Sequence, residues 1–80
     1  MSSPQDNFEI EVKMLTQLAI QALPAPAKIH IDECPTDTFR WLIQEGFLRH
    51  ESIAQEHAHC FFTATHKLLQ QKNIHIEALA

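Results

Sequence analysis

Glycine is nearly missing from this chain: Gly46 is the only one in 80 residues. A loop that wraps backbone amides around a phosphate needs several glycines, so that class of nucleotide site is excluded. Tyrosine is absent, and cysteine occurs only at Cys34 and Cys60. Two cysteines make no disulfide framework, and the C-x-x-C spacing of zinc modules does not occur. They read as two half-buried thiols. Basic residues are scarce, six Lys and Arg against ten Asp and Glu, for a formal net charge of −4 at pH 7. No apolar run approaches the roughly 20 residues that cross a bilayer. The opening residues lack the basic-then-apolar order of a secretory leader. The expectation is a cytoplasmic chain with no membrane partner.

What charge there is lies unevenly. Residues 1–38 hold Asp6, Glu9, Glu11, Asp32, Glu33 and Asp37 against Lys13 and Lys28. Residues 39–80 balance Glu45, Glu51, Glu56 and Glu77 with Arg40, Arg49, Lys67 and Lys72. The net negative charge therefore sits in the first half. Nucleic-acid binders need the opposite, a basic face that displaces counterions from phosphate. Length allows a single domain over residues 1–80, near the lower limit for a fold held by its core alone, with residues 1–5 frayed.

Periodicity then gives an α+β order. Asp6 and Glu9 fit a capping pair that opens a long N-terminal helix, which Pro24 and Pro26 end after Leu23. On it Phe8, Val12, Met14, Leu15, Leu18, Ala19, Ala22 and Leu23 cover about half the circumference, with Ile10 and Ile20 outside that arc. A stripe this wide points either to a second packing surface or to a small domain that wraps the helix more fully. Lys28–Ile31 alternates as a short edge strand with Ile29 and Ile31 facing inward. Thr36 or Asp37 caps a short second helix whose Phe39, Leu42, Ile43 and Phe47 share a face, and Gly46 supplies its left-handed stop. Residues 47–53 and 58–62 form a β-hairpin with a polar tip at Gln55 and Glu56. Thr63 caps a C-terminal helix carrying Leu68 and Leu69, which Ile74 and Ile76 extend or fold back upon.

The segment Leu42-x-x-Glu45-Gly46-Phe47-Leu48, followed by Phe62-Thr63, resembles winged helix-turn-helix regulators. Many of these carry L-x-x-x-G-h-I at the end of the recognition helix and L-T-x-x-G after the wing. The resemblance covers about residues 36–70 and implies a small winged-helix-like domain with the 47–62 hairpin as its wing. In two places the chain departs from the pattern. His66 stands where the second motif has glycine, and the span from Pro24 to Asp37 is too short for both the first strand and the leading helix of the motif. If the 37–46 helix were the recognition helix, Arg40 and Gln44 would reach base edges, with Arg49, His50 and the hairpin tip on the backbone. Asp37 and Glu45 would be repelled by that groove.

Two further constellations bear on function. Trp41 is costly to leave in water and anchors protein interfaces more readily than grooves, unless the domain's own core takes it. Six histidines raise a metal reading: His57 and His59 share a strand face, with His50 across the hairpin, but a structural zinc site needs four convergent ligands. A solvated wing explains the same residues. Cys60 beside His57 or His59 lacks an orienting third group and an oxyanion hole, so no catalytic residue, metal or cofactor is assigned. The sequence reading is a non-enzymatic, winged-helix-like protein-interaction module of regulatory type, homodimeric through Ile10, Met14 and Leu18, with Trp41 as partner anchor. The alternative is a DNA-binding transcription regulator.

Overall fold

In a computed structural model, which describes residues 4–53 and 55–71, six elements follow one another. They are α1 (Pro4–Ala22), β1 (Ala27–His30), α2 (Thr36–Gln44), β2 (Leu48–Glu51), β3 (His59–Ala64) and α3 (His66–Gln70). The small α+β architecture agrees with the sequence reading. Residues 1–3 and the expected extension through Lys72, Ile74 and Ile76 lie outside the described residues, as does the side chain of Asp6. Asp6 falls within α1 rather than ahead of it, since the helix already starts at Pro4.

The strands make one antiparallel sheet in the order β1-β3-β2. Ala27 pairs with Phe62 and Ile29 with Cys60 on one side of β3, while Leu48 pairs with Ala64 and His50 with Phe62 on the other. Paired residues share a face, so Ala27, Ile29, Leu48, Cys60, Phe62 and Ala64 point to the helices. There they meet Val12, Leu15 and Ala19 of α1, Phe39 and Leu42 of α2 and Leu68 of α3 to form the core. Phe62 lies at its centre, fully enclosed, with its ring edge-on to Phe39 at 5.3 Å.

Local chemistry explains most element ends. Gly46 has φ +85°, the left-handed conformation that costs an L side chain energy and costs glycine none. It lets the Phe47 amide donate to Leu42 O and the Gly46 amide to Ile43 O, the paired bonds of a Schellman ending, while Phe47 and Leu42 both bury their side chains. At the start of α2 neither Thr36 nor Asp37 is the cap. Both are inside the helix, Pro35 precedes it, and the Phe39 amide donates to Pro35 O. β1 stops one residue earlier than expected, where the His30–Glu33 turn begins, and Ile31 is left 48% exposed rather than inward. Between β1 and α2 the chain forms turns, and the strand is the element that survives in that short span.

The cap of α3 is Thr65, two residues past the expected Thr63. β3 runs on through Ala64, which takes Thr63 into the ladder opposite Arg49, where its hydroxyl donates to Glu51. The Thr65 hydroxyl accepts from the Leu68 amide and lies 3.0 Å from Phe47 O, joining α3 to the segment that leaves α2. Thr65→Ala is therefore expected to lower stability by about 1–2 kcal/mol, read as a reduced urea midpoint at unchanged slope.

Candidate functional site

Around α1 the side chains sort into three faces. Val12, Leu15 and Ala19 are buried, and Phe8 and Ala22 pack beside them. A charged flank carries Glu9 and Lys13, ion-paired at 3.6 Å one turn apart. Opposite the core, at 100° per residue, lie Asn7, Ile10, Met14, Gln17 and Gln21, a run with spacings of three and four and no charge. Ile10 is 62% exposed and Met14 38%. Leu18 borders this face, half-buried and leaning on the core. The wide stripe thus resolves into a buried arc and an outward arc. Met14 and Leu23 belong to the exposed set, and so do Ile10 and Ile20.

Trp41 is half-buried on the other side of α1. Its ring stands edge-on to Phe8 at 5.2 Å and tilted to Phe47 at 6.0 Å. Phe8 is two residues from Ile10 and so about 200° around the helix, which places Trp41 apart from the Ile10 face. Next to it the Thr38 hydroxyl, buried, donates to Glu11 at 2.6 Å and ties α2 to α1. Helical spacing alone puts Thr38 on the outward side of α2 beside Asp37 and Arg40, but it is buried, because the helix crossing brings Glu11 to it. Thr38→Val should cost about 1–2 kcal/mol by leaving that carboxylate without its donor, measured by thermal unfolding.

On the outward side of α2, Thr36, Asp37, Arg40, Gln44 and Glu45 are all exposed, as are Arg49 and His50 on β2. Arg40 and Gln44 stand one turn apart. Lys67, by contrast, is engaged: its ammonium donates to Glu45 O at 2.6 Å and lies 4.6 Å from the centre of the Phe47 ring. It neutralises the negative end of α2.

Among the described residues the histidines do not gather around one point. His50 pairs with Phe62 on the helix side of the sheet and packs edge-on to Phe39 at 6.0 Å. His59 alternates to the open side, beside its strand partner His30 with ring centres 5.3 Å apart. His57 is exposed in the connection between β2 and β3. Among the described residues no three His, Cys, Asp or Glu side chains are arranged to hold a metal ion. An open concavity of about 470 Å³ at the end of the hairpin is lined by His50, Glu51, Glu56, His57, His59 and Phe61. One carboxylate in it is organised. Glu56 Oε1 accepts from the Ala58 amide at 2.8 Å and lies 3.3 Å from His59 Nδ1. These bonds, the amide first, hold its carboxyl below the ordinary value of 4.5. A depressed folded-state pKa means that the loop contact is complete above the ordinary glutamate range and is lost as pH falls through the lowered value. The Ala58 amide resonance should therefore titrate below pH 4.5 in an NMR pH series, and Glu56→Gln should abolish that step.

Compared with family models, with curated proteins and with solved structures, the chain finds no match. Its function is read from its own residues. No helix among the described residues is long and apolar enough to cross a membrane.

Proposed function

We propose that the chain is a non-enzymatic, winged-helix-like protein-interaction module of regulatory type that pairs with a second copy of itself through α1. The observation that carries this is the uncharged outward face of α1, with Ile10 and Met14 exposed and Leu18 at its border. The helix is 19 residues long, about 28 Å, enough for several turns of contact. Two copies of one uncharged face, each with Ile10 and Met14 exposed, can be self-complementary, as a two-fold interface requires. The Glu9–Lys13 pair flanks that face, so association brings no unpaired charge into its middle. Trp41, half-covered by Phe8 and Phe47, is the residue that a different protein partner would meet. The winged reading is supported by the strand order β1-β3-β2 and by a helix that enters the hairpin through Gly46.

Sedimentation velocity over a dilution series tests the pairing. Dimer is expected at low micromolar concentration, and Ile10→Asp should weaken it by at least about 30-fold, the scale of losing a central contact of 2 kcal/mol. A wild-type chain that stays monomeric at tens of micromolar would sink the proposal.

A second reading has one observation in its favour: Arg40 and Gln44 stand exposed one turn apart, and neither Arg40 nor Arg49 is ion-paired among the described residues. In that reading the chain is a DNA-binding transcription regulator with α2 in the major groove and Arg49 and His50 on phosphates. The exposed Asp37 and Glu45 and the engaged Lys67 weigh against it. Anisotropy of a labelled duplex at low and physiological salt separates the two readings. Salt-sensitive binding that Arg40→Ala reduces would favour the regulator, and no binding at low salt would leave the interaction module.

A further inference from the structure

Cys34 and Cys60 are the only cysteines in the sequence, and the fold brings them together from distant positions. Cys60 lies in the middle strand, paired with Ile29, so its side chain points to the helix side. The chain leaves β1 just beyond that pair, holds to the sheet once more through the Ile31 amide on Ala58 O, and turns back at His30–Glu33. Cys34 stands where this turn hands over to α2, directly before Pro35. Its thiol neighbours that of Cys60 there, and both side chains pack against the core while remaining partly exposed.

We propose that Cys34 and Cys60 form a redox-modification site, a dithiol that closes into an intramolecular disulfide on reaction with a small-molecule disulfide such as oxidised glutathione. The contact leaves one pairing possible, and no other thiol in the sequence competes for it. Each step balances. The Cys60 thiolate attacks one sulfur of glutathione disulfide, forming a mixed disulfide and releasing one glutathione thiolate, which takes up the proton Cys60 gave to solvent. Cys34 then loses its proton and attacks Cys60 Sγ, closing the protein disulfide and releasing the second glutathione. Two protein thiols are oxidised, and one glutathione disulfide is reduced to two thiols.

The order of attack follows from the surroundings. Burial, and then the neighbouring Cys60, push the Cys34 thiol up to about 11, so Cys34 is held protonated at neutral pH and does not initiate. Once Cys60 is blocked as the mixed disulfide, it no longer opposes ionisation of Cys34, and the second step is eased. The product fastens the start of α2 to the central strand. Because it closes a loop of roughly 25 residues, it also restricts the unfolded chain.

The test is to incubate the full chain with oxidised glutathione at pH 8.5 and follow intact mass, alkylatable thiol and thermal midpoint. The expected product is monomeric, has lost two hydrogens and both alkylatable thiols, keeps no glutathione, and melts about 10–20 °C higher. Cys34→Ser is expected to stop at a lasting glutathione adduct on Cys60. A wild-type chain that retains both thiols, accumulates lasting adducts on either cysteine, or cross-links between copies would overturn the proposal. The wild-type measurement decides this even if the variant does not fold.

Discussion

Phe62→Ala should leave much of the chain unfolded at 25 °C. Phe62 is fully enclosed at the middle of the central strand, between Ala27 on β1 and His50 on β2, and its ring stands against Phe39 of α2. Truncation removes the ring's transfer free energy and leaves a cavity that a sheet held on both sides cannot collapse to fill. The cost is about 3–5 kcal/mol. A domain of this size commands about 4–12 kcal/mol in all, so the loss is comparable with the lower half of that range. The thermal midpoint should fall by about 15–30 °C. Phe62→Leu, which keeps most of the apolar volume, should cost about half as much or less. A Phe62→Ala protein that melts within about 5 °C of the parent would show that the ring is not the centre of the core.

The second large effect compares two sides of one helix. Leu15→Ala should cost about 2–5 kcal/mol, because Leu15 is fully buried in the core. Ile10→Ala, five residues earlier on the outward face, should change monomer stability by no more than about 0.5 kcal/mol, since it removes an exposed side chain and gains helix propensity. In the proposed dimer the ranking should reverse: Ile10→Ala is expected to weaken association, and Leu15→Ala to act only through folding. Urea unfolding at two protein concentrations distinguishes them. Equal losses from both variants at high dilution would contradict the assignment of faces.

The parts of this fold legible in the sequence were those set within a few residues. Gly46 marked the end of α2 because a single glycine after Leu42 and Ile43 has few other uses. The Phe39–Leu42–Ile43–Phe47 spacing gave the inward face, and Gln55 and Glu56 marked the turn. What escaped depended on pairing between strands. Thr63 and Thr65 are equally good caps by residue type. Only the register of β3 against β2 places Thr63 opposite Arg49 and frees Thr65. The same register decides that His50 faces the helices and His59 the open side, a matter of parity across residues 52–58 that side-chain pattern leaves undetermined. Ile31 looked inward by alternation but lies beyond the last strand pair. For the candidate surfaces, exposure of Ile10 followed from helical period, whereas the Thr38–Glu11 bond and the meeting of Cys34 with Cys60 exist only once distant segments have packed.

Strand order also bears on how the chain is made. The middle strand is the last of the three to be synthesised, and β1 and β2 are joined by hydrogen bonds only through it. During translation Ala27–His30 leaves the ribosome long before His59–Ala64 and has nothing to pair with in the meantime. No part of the sheet can assemble until nearly the whole described chain has emerged, and α1 waits with its apolar side uncovered. A nascent chain stalled before Phe62 should remain protease-sensitive throughout. One released after α3 should acquire resistance in a single step.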